Sequence, residues 1–249
     1  MANYQQSSHE IQPPLVRIPF MGGELMARFT LLMACAIGML ITCPDTASAE
    51  TFAQRYQAYQ DSVAAGKTAL AKKEYPAAIA RYSKAIEASP FVAAFYYDRG
   101  IAWFRSGEAR KAVEDFDRAL LLDPRLGTAY SYRGLAHSQG GDYTGALQDF
   151  QQALAFNPRD PSVHNNLAWL YATAPAGKLR DGIKALEHAV KAAELSNEKN
   201  AEILDTLARA YFINGKKAEA IEAEKKALRL EPGNREFTEN LKRYEAGSK

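Results

Sequence analysis

Two adjacent blocks, residues 93–126 and 127–160, repeat each other, and this internal repeat limits the possible folds more than any other feature. The second block carries identical or similar residues at matching positions. The matching pairs are Tyr96 and Tyr130, Gly100 and Gly134, Trp103 and His137, Gly107 and Gly141, Ala112 and Ala146, Phe116 and Phe150, Ala119 and Ala153, and Pro124 and Pro158. A repeat of about 34 residues, with a turn glycine between two halves of helical periodicity, predicts stacked helix–turn–helix units.

The glycines and alanines of each block predict close packing between helices. Gly100 and Gly134 fall in the middle of predicted helices, where glycine costs about 1 kcal/mol relative to alanine. A close approach of two helices would compensate for this cost. Ala112, Phe116 and Ala119 follow a spacing of four and three residues, so they share one face of the second helix. Each second helix therefore presents alternating small and large groups to its neighbours.

The prolines at the end of each block are expected to start the next helix. The first helical position has no internal N–H bond to lose, so it accepts proline. Pro124 and Pro158 are thus predicted to begin helices, and Asp123 and Asn157 just before them to act as helix caps.

These positions resemble the tetratricopeptide repeat family. The same frame extends in both directions and gives five repeats, at about 59–92, 93–126, 127–160, 161–200 and 201–234, followed by a capping helix at 235–246. The resemblance implies an all-α fold, a right-handed α-solenoid of stacked helix–turn–helix repeats. The chain departs from the pattern in two places. Glu224 occupies a position where an aromatic residue is usual, and the fourth repeat is stretched by insertions at 172–177 and 195–200.

Residues 1–49 do not belong to the repeats and are predicted to be an N-terminal extension and signal peptide. Phe29 to Thr42 is an uncharged run, and Ala47-Ser48-Ala49 has the form of a signal-peptidase site. Cleavage is expected after Ala49, which would place the array of residues 50–249 in the periplasm or outside a bacterial cell. Met1, Met21 and Met26 are all candidate starts.

Two alternatives would tether the array to a membrane. The run from Phe29 to Thr42 would act as an uncleaved anchor, although it is shorter than the roughly 18 apolar residues that span a bilayer. Leu40 to Cys43 loosely resembles a lipobox, which would make Cys43 a lipidated N-terminus. Both cysteines, Cys35 and Cys43, precede the predicted cleavage site, so the cleaved chain would contain no disulfide.

Charge and motifs disfavour several functional classes. The formal net charge is +2, with no block of like charges, so no nucleic-acid partner is expected. The chain has no P-loop, HExxH motif or serine elbow, so no enzyme activity, cofactor or small-molecule substrate is expected. His137, His164 and His188 are expected to pack rather than to bind metal, because a metal site needs three or four converging donors.

Similarity to the tetratricopeptide repeats implies a protein or peptide partner, bound in a concave groove lined by the first helices. Mapped onto this sequence, the groove would contain Tyr97, Asp98, Ile101, Phe104 and Arg105 from the second repeat, Ser131, Tyr132, Leu135 and Gln139 from the third, Asn165, Asn166 and Trp169 from the fourth, and Asp205, Arg209 and Phe212 from the fifth. Aromatic residues at helical spacing also form cores, so the sequence allows Phe104 and Trp169 to lie either in the core or in the groove.

Some relatives bind a free C-terminal carboxylate through basic and amide side chains at fixed positions. The corresponding residues here are Val63, Lys67, Asp98, Thr128 and Tyr132, so that clamp is missing. Mixed apolar and hydrogen-bonding contact with an internal peptide segment is therefore expected. The leading hypothesis is an exported, non-enzymatic adaptor. The alternative is a membrane-tethered structural component of an envelope assembly, and a regulator of an enzyme encoded elsewhere is a third possibility.

Overall fold

The repeat frame appears in the structure as pairs of helices. The computed structural model describes residues 46–175 and 179–247, with side chains from residue 57 onward. Its helices are α1 (Thr46–Ala71), α2 (Tyr75–Ala88), α3 (Ala93–Arg105), α4 (Ala109–Leu122), α5 (Gly127–Gln139), α6 (Tyr143–Phe156), α7 (Pro161–Thr173), α8 (Gly182–Leu195), α9 (Ala201–Ile213), α10 (Lys217–Leu230) and α11 (Arg235–Ala246). No strand occurs among the described residues, and the predicted all-α solenoid is confirmed.

Consecutive helices pack against each other throughout the array. The odd-numbered helices α3, α5, α7 and α9 are the first helices of their repeats, and α4, α6, α8 and α10 are the second helices. The predicted hydrophobic signal segment lies outside the described residues, and the predicted cleavage point after Ala49 falls in the first turn of α1. In the described part of the chain, no helix has the length and hydropathy needed to cross a bilayer.

A glycine on the first helix packs against an aromatic ring on the second helix in the second and third repeats. A Cβ added at Gly100 would lie 2.7 Å from Cε1 of Phe116, and one added at Gly134 would lie 2.7 Å from Cε1 of Phe150. Both rings are almost fully buried. Glycine therefore allows a close approach that even a methyl group would prevent, which is the compensation that its mid-helix position requires.

The turn between the two helices of a repeat depends on a left-handed residue. Gly107, Gly141 and Gly215 have φ between 77° and 89°, and Lys73 takes the same place in the first repeat with φ 62°. Glycine adopts this region without a steric penalty, whereas lysine incurs a penalty because of its Cβ atom.

The predicted role of the prolines at the block ends was wrong. Helix α5 begins at Gly127 and helix α7 at Pro161, three residues after Pro124 and Pro158. Asp123 and Asn157 instead end α4 and α6 as C-terminal caps. Each of their side chains accepts a hydrogen bond from the backbone N–H two residues later, at 3.0 Å and 3.3 Å. This is an Asx turn, in which the following proline has the φ that the turn needs.

Each insertion of the fourth repeat lies between two helices. The first separates α7 from α8, and its residues 176–178 lie outside the described part of the chain. The second separates α8 from α9 and contains Asn197 and Glu198, both with positive φ. The carboxylate of Glu198 lies 2.6 Å from Nζ of Lys226 on α10. This contact connects the second insertion to the fifth repeat.

Buried ion pairs connect the helices of the second and third repeats. Arg99 makes two hydrogen bonds to the carboxylate of Asp115, at 2.7 and 2.8 Å. Arg133 does the same with Asp149, at 2.6 and 2.9 Å, and also contacts Asp117 of the preceding repeat. The two arginines are themselves one repeat apart, so the pairing is part of the repeated pattern.

Glu224 occupies the position in the fifth repeat that Phe116 and Phe150 occupy in earlier repeats. Its side chain is fully buried, and neither carboxyl oxygen has a well-aligned hydrogen-bond partner among the described residues. Burial, followed by the neighbouring carboxylate of Asp205, raises the pKa of Glu224 to about 9, against a partial opposing effect of Arg209 and Arg243. Glu224 is therefore a neutral acid at pH 7.

Replacing Gly134 by alanine is expected to destabilise the array. The new methyl group would overlap the Phe150 ring and approach the carbonyl oxygen of Ala146 to 3.2 Å. Overpacking of this kind costs about 1–3 kcal/mol. Urea unfolding followed by circular dichroism measures the loss. Gly140→Ala is the matched control, because its Cβ would meet nothing closer than 3.4 Å. Equal midpoints for the two variants would show that the close approach is not required.

The Glu224→Gln variant is expected to be more stable than the parent at alkaline pH. The folded pKa of about 9 exceeds the unfolded value of about 4.3. The folded state therefore binds more protons between these values, and stability falls as pH rises through that window. Glutamine does not titrate, so the stability of the variant relative to the parent should increase by on the order of 4 kcal/mol from pH 5 to pH 8.5.

Thermal or urea unfolding at several pH values measures this difference. Glu222→Gln serves as a control, because it replaces a solvent-exposed carboxylate on the same helix. If the stability curves of the parent and Glu224→Gln stay parallel from pH 5 to pH 8.5, Glu224 is not a neutral acid in the folded state.

Candidate binding groove

The first helices of the array line a groove that consists of two adjoining cavities. The Trp169 cavity has a volume of about 290 Å³ and is lined from α5, α6, α7, α9 and α11. The Tyr132 cavity has a volume of about 620 Å³ and is lined mainly from α5, α6, α7 and the turns before α5 and α7, with Arg105 from α3. Leu135, Asn166 and Glu202 line both, so the two cavities are continuous.

Trp169 is a large apolar side chain that the groove leaves partly exposed, as Phe156 is in the Tyr132 cavity. It is 46% exposed, although it lies on α7 among the most buried residues of the chain. Asn165 and Asn166 line the same cavity from the same helix. The side-chain oxygen of Asn165 is buried and has no hydrogen-bond partner among the described residues. Of the two positions left open by the sequence, Trp169 thus faces the groove.

Several predicted groove residues form the wall rather than the open surface. The Tyr132 ring makes edge contacts with Tyr97 at 5.8 Å and Phe104 at 6.3 Å between ring centroids, and packs against Phe116 at 6.1 Å. Ile101 packs against the same buried cluster. Edge contacts between aromatic rings are favourable. The side chains of Tyr97, Ile101, Phe104 and Tyr132 are half-buried. They form a rigid apolar wall, of which Tyr132 alone lines the Tyr132 cavity.

Charged groups of the second repeat border this wall. Burial raises the pKa of Asp98, while the Tyr82 hydroxyl and Lys67 oppose the shift. Burial also raises the pKa of Tyr97, and the charge of Asp98 adds to this effect. Arg105 is exposed and lines the Tyr132 cavity.

Other predicted groove residues also line neither cavity: Asp98, Gln139, Arg209 and Phe212. Gln139 is exposed at the end of α5. Arg209 lines a separate cavity of about 450 Å³ together with Arg180, Phe212 and Arg243. The buried Nε of Arg209 has no hydrogen-bond partner among the described residues.

Six residues of the Trp169 cavity were not predicted as groove residues: Ser138, Phe150, Glu202, Thr206, Glu236 and Phe237. A signal for two of them was available. Ser162, Glu202 and Glu236 each occupy the second position of a first helix or of the capping helix. Extending the frame to that position would have placed both glutamates on the groove face. Phe237 lies on the predicted capping helix, and it is buried while also lining the cavity.

The histidines pack against neighbouring side chains. Nδ1 of His164 lies 3.0 Å from Nδ1 of His188, and Nε2 of His164 lies 3.1 Å from the carbonyl oxygen of Pro158. Burial and the nearby His164 lower the pKa of His188. His137 contacts the carboxylate of Asp142 at 3.1 Å. Within residues 46–175 and 179–247, no three histidine, cysteine or acidic side chains converge to hold a metal ion.

A further cavity lies on the second helices. It has a volume of about 630 Å³ and is lined by Ile183, Leu186 and Val190 of α8 together with Lys216. It contains no aromatic ring. Because Ile183, Leu186 and Val190 nevertheless give it an apolar lining, it is the main rival surface to the groove for an apolar contact.

Comparisons with solved structures identify the same architecture in other proteins. A thermophilic tetratricopeptide repeat protein of Thermus thermophilus is 22% identical over 76% of this chain and 98% of its own, with a TM-score of 0.61. MamA residues 41 to the end, from Desulfovibrio magneticus RS-1, is 20% identical over 72% and 97%, with a TM-score of 0.59. At these identities the likeness shows the fold.

YrrB, described as a tetratricopeptide repeat protein with an unusual peptide-binding site, is 20% identical over 71% of this chain and 88% of its own, with a TM-score of 0.54. No curated protein shows a significant sequence match to this chain. Family models do match: a "TPR repeat" model covers residues 138–173, and a "Tetratricopeptide repeat" model covers residues 63–129 and 167–235. Because the latter covers more than half of the sequence, the chain belongs to the tetratricopeptide repeat family.

Proposed function

We propose that this chain is a non-enzymatic scaffold that binds a partner protein or peptide in the groove of its first helices. One observation carries the proposal. Trp169 exposes nearly half of its surface inside a cavity, next to Asn165 and Asn166. A large rigid aromatic in a pocket is the type of side chain that dominates protein interfaces. Asparagine can both donate to and accept from a peptide backbone.

The rest of the groove supports the binding of an extended segment. Its two cavities run from the second repeat to the capping helix without a break. The wall of Tyr97, Phe104 and Tyr132 is held by ring contacts, so binding would need little reorganisation. Among structural relatives, YrrB is described as having a peptide-binding site, which agrees with this role.

Trp169→Ala is expected to weaken partner capture by about 2 kcal/mol, or roughly thirtyfold in Kd. The full chain is immobilised through its C-terminus and exposed to bacterial envelope proteins, and bound proteins are identified by mass spectrometry. Phe91→Ala is the matched control, because Phe91 is 79% exposed and lines neither groove cavity.

Partners lost from the Trp169 variant and retained by the Phe91 variant would place binding in the groove. Circular dichroism must show the same helicity for both. Equal capture by both folded variants would contradict binding in the groove. The cavity around Ile183 and Val190 on α8 would then be the next candidate site.

We also propose that the array acts after export, in the periplasm or outside a bacterial cell. The proposal is supported by the uncharged run from Phe29 to Thr42 and by the Ala47-Ser48-Ala49 site. Mass spectrometry of the protein recovered from bacterial cell fractions is expected to find Glu50 as the first residue. A lipid on Cys43, or a retained run from Phe29 to Thr42, would instead support the membrane-tethered structural component.

A further inference from the structure

The Trp169 cavity carries hydrogen-bond acceptors and negative charge but no positive charge. Glu202, Asp205 and Glu236 all line it, and none of the described residues that line it is basic. The whole chain is nearly balanced in charge, with a formal net charge of +2. The cavity is thus a local negative region of a slightly positive molecule, and it would favour a cationic ligand.

Two uncharged side chains of the same cavity each have a polar atom that receives no hydrogen bond within the described part of the chain. The Asn165 Oδ1 atom and the Ser138 hydroxyl are buried, and neither has a hydrogen-bond partner among the described residues. A buried polar atom without a partner costs about 1–3 kcal/mol. These two atoms would therefore gain from a ligand that brings N–H groups into the cavity.

Helix position accounts for only part of the negative charge. Glu202 and Glu236 lie in the first turns of α9 and α11, where a carboxylate interacts favourably with the helix dipole. Asp205 lies a turn further along α9, and its carboxylate accepts a 2.6 Å hydrogen bond from Asn240. Neither Glu202 nor Glu236 forms an ion pair with another described residue. Both are exposed and remain available to a ligand.

We propose that the segment bound in this cavity carries a lysine or arginine beside a large apolar side chain. The cation is attracted to Glu202 and Glu236 and lies on the exposed face of Trp169, since cations bind favourably to the faces of aromatic rings. Backbone N–H groups of the segment donate to Asn165. The adjoining apolar side chain packs toward Leu135, which the two cavities share. This inference depends on the proposed groove-binding function.

The probe is a phage-displayed library of random linear twelve-residue peptides, selected on the immobilised full chain. The expected result is enrichment of peptides with lysine or arginine next to an apolar residue. One enriched peptide is then synthesised with a fluorescent label in two forms. The second form removes the charge by carrying citrulline, which is nearly isosteric with arginine, or norleucine, which keeps the four-carbon chain of lysine without its amino group.

Fluorescence anisotropy compares the binding of both peptides to the parent chain and to variants. Glu202→Gln combined with Glu236→Gln is expected to weaken the charged peptide roughly tenfold and to abolish its advantage over the uncharged form. Glu219→Gln combined with Glu222→Gln removes the same charge from exposed positions on α10 and should leave both affinities unchanged. Raising the salt concentration should weaken the charged peptide more than the uncharged one.

The alternative outcomes separate this inference from the proposed function. Peptides that lack basic residues, and that Trp169→Ala weakens but the double glutamate variant does not, would overturn the inference and leave groove binding intact. Failure to find any peptide that Trp169→Ala weakens would overturn both. Dimerisation of the chain that only the Glu202 and Glu236 substitutions abolish would assign the cavity to a second copy and also overturn the inference.

Discussion

The packing of an aromatic ring onto a glycine within a repeat is the contact on which the array depends. Phe116 on Gly100 and Phe150 on Gly134 bring the two helices of a repeat closer than any side chain at the glycine position would permit. Tyr82 packs against Gly66 in the same way in the first repeat. Since each ring is buried, these aromatic residues of the second helices serve packing, whereas first-helix side chains such as Trp169 reach the groove.

The sequence predicted this layer well because the period itself encodes it. Glycine and an aromatic residue recur at a constant spacing, and each has only a few physical roles inside a helix. The groove was predicted less completely. Tyr97, Phe104 and Tyr132 were placed on the correct helices, but their contacts with each other depend on neighbouring repeats. Whether a side chain such as Trp169 is covered cannot be read from spacing, because it depends on what the next helix leaves open.

The features that were missed or wrongly predicted have physical reasons. Pro124 is equally compatible with a helix start and with an Asx turn, and local sequence does not decide between them. The pairing of Arg133 with Asp149 spans two helices and becomes visible only when they pack. The burial of Glu224 beside Asp205 needs the capping helix as well as the fifth repeat. In each case the deciding contact lies between elements, whereas the sequence pattern describes one element at a time.

The ring–glycine contacts between paired helices support the array, and the acceptor-rich groove on the first helices forms the proposed binding surface. The most direct test of this binding surface is hydrogen–deuterium exchange of the full chain with and without a captured partner. Binding in the groove predicts added protection in α5, α7 and α9, centred on the peptide segment that contains Trp169. Protection confined to α8 and the turn before α10, around the cavity of Ile183 and Val190, would contradict it.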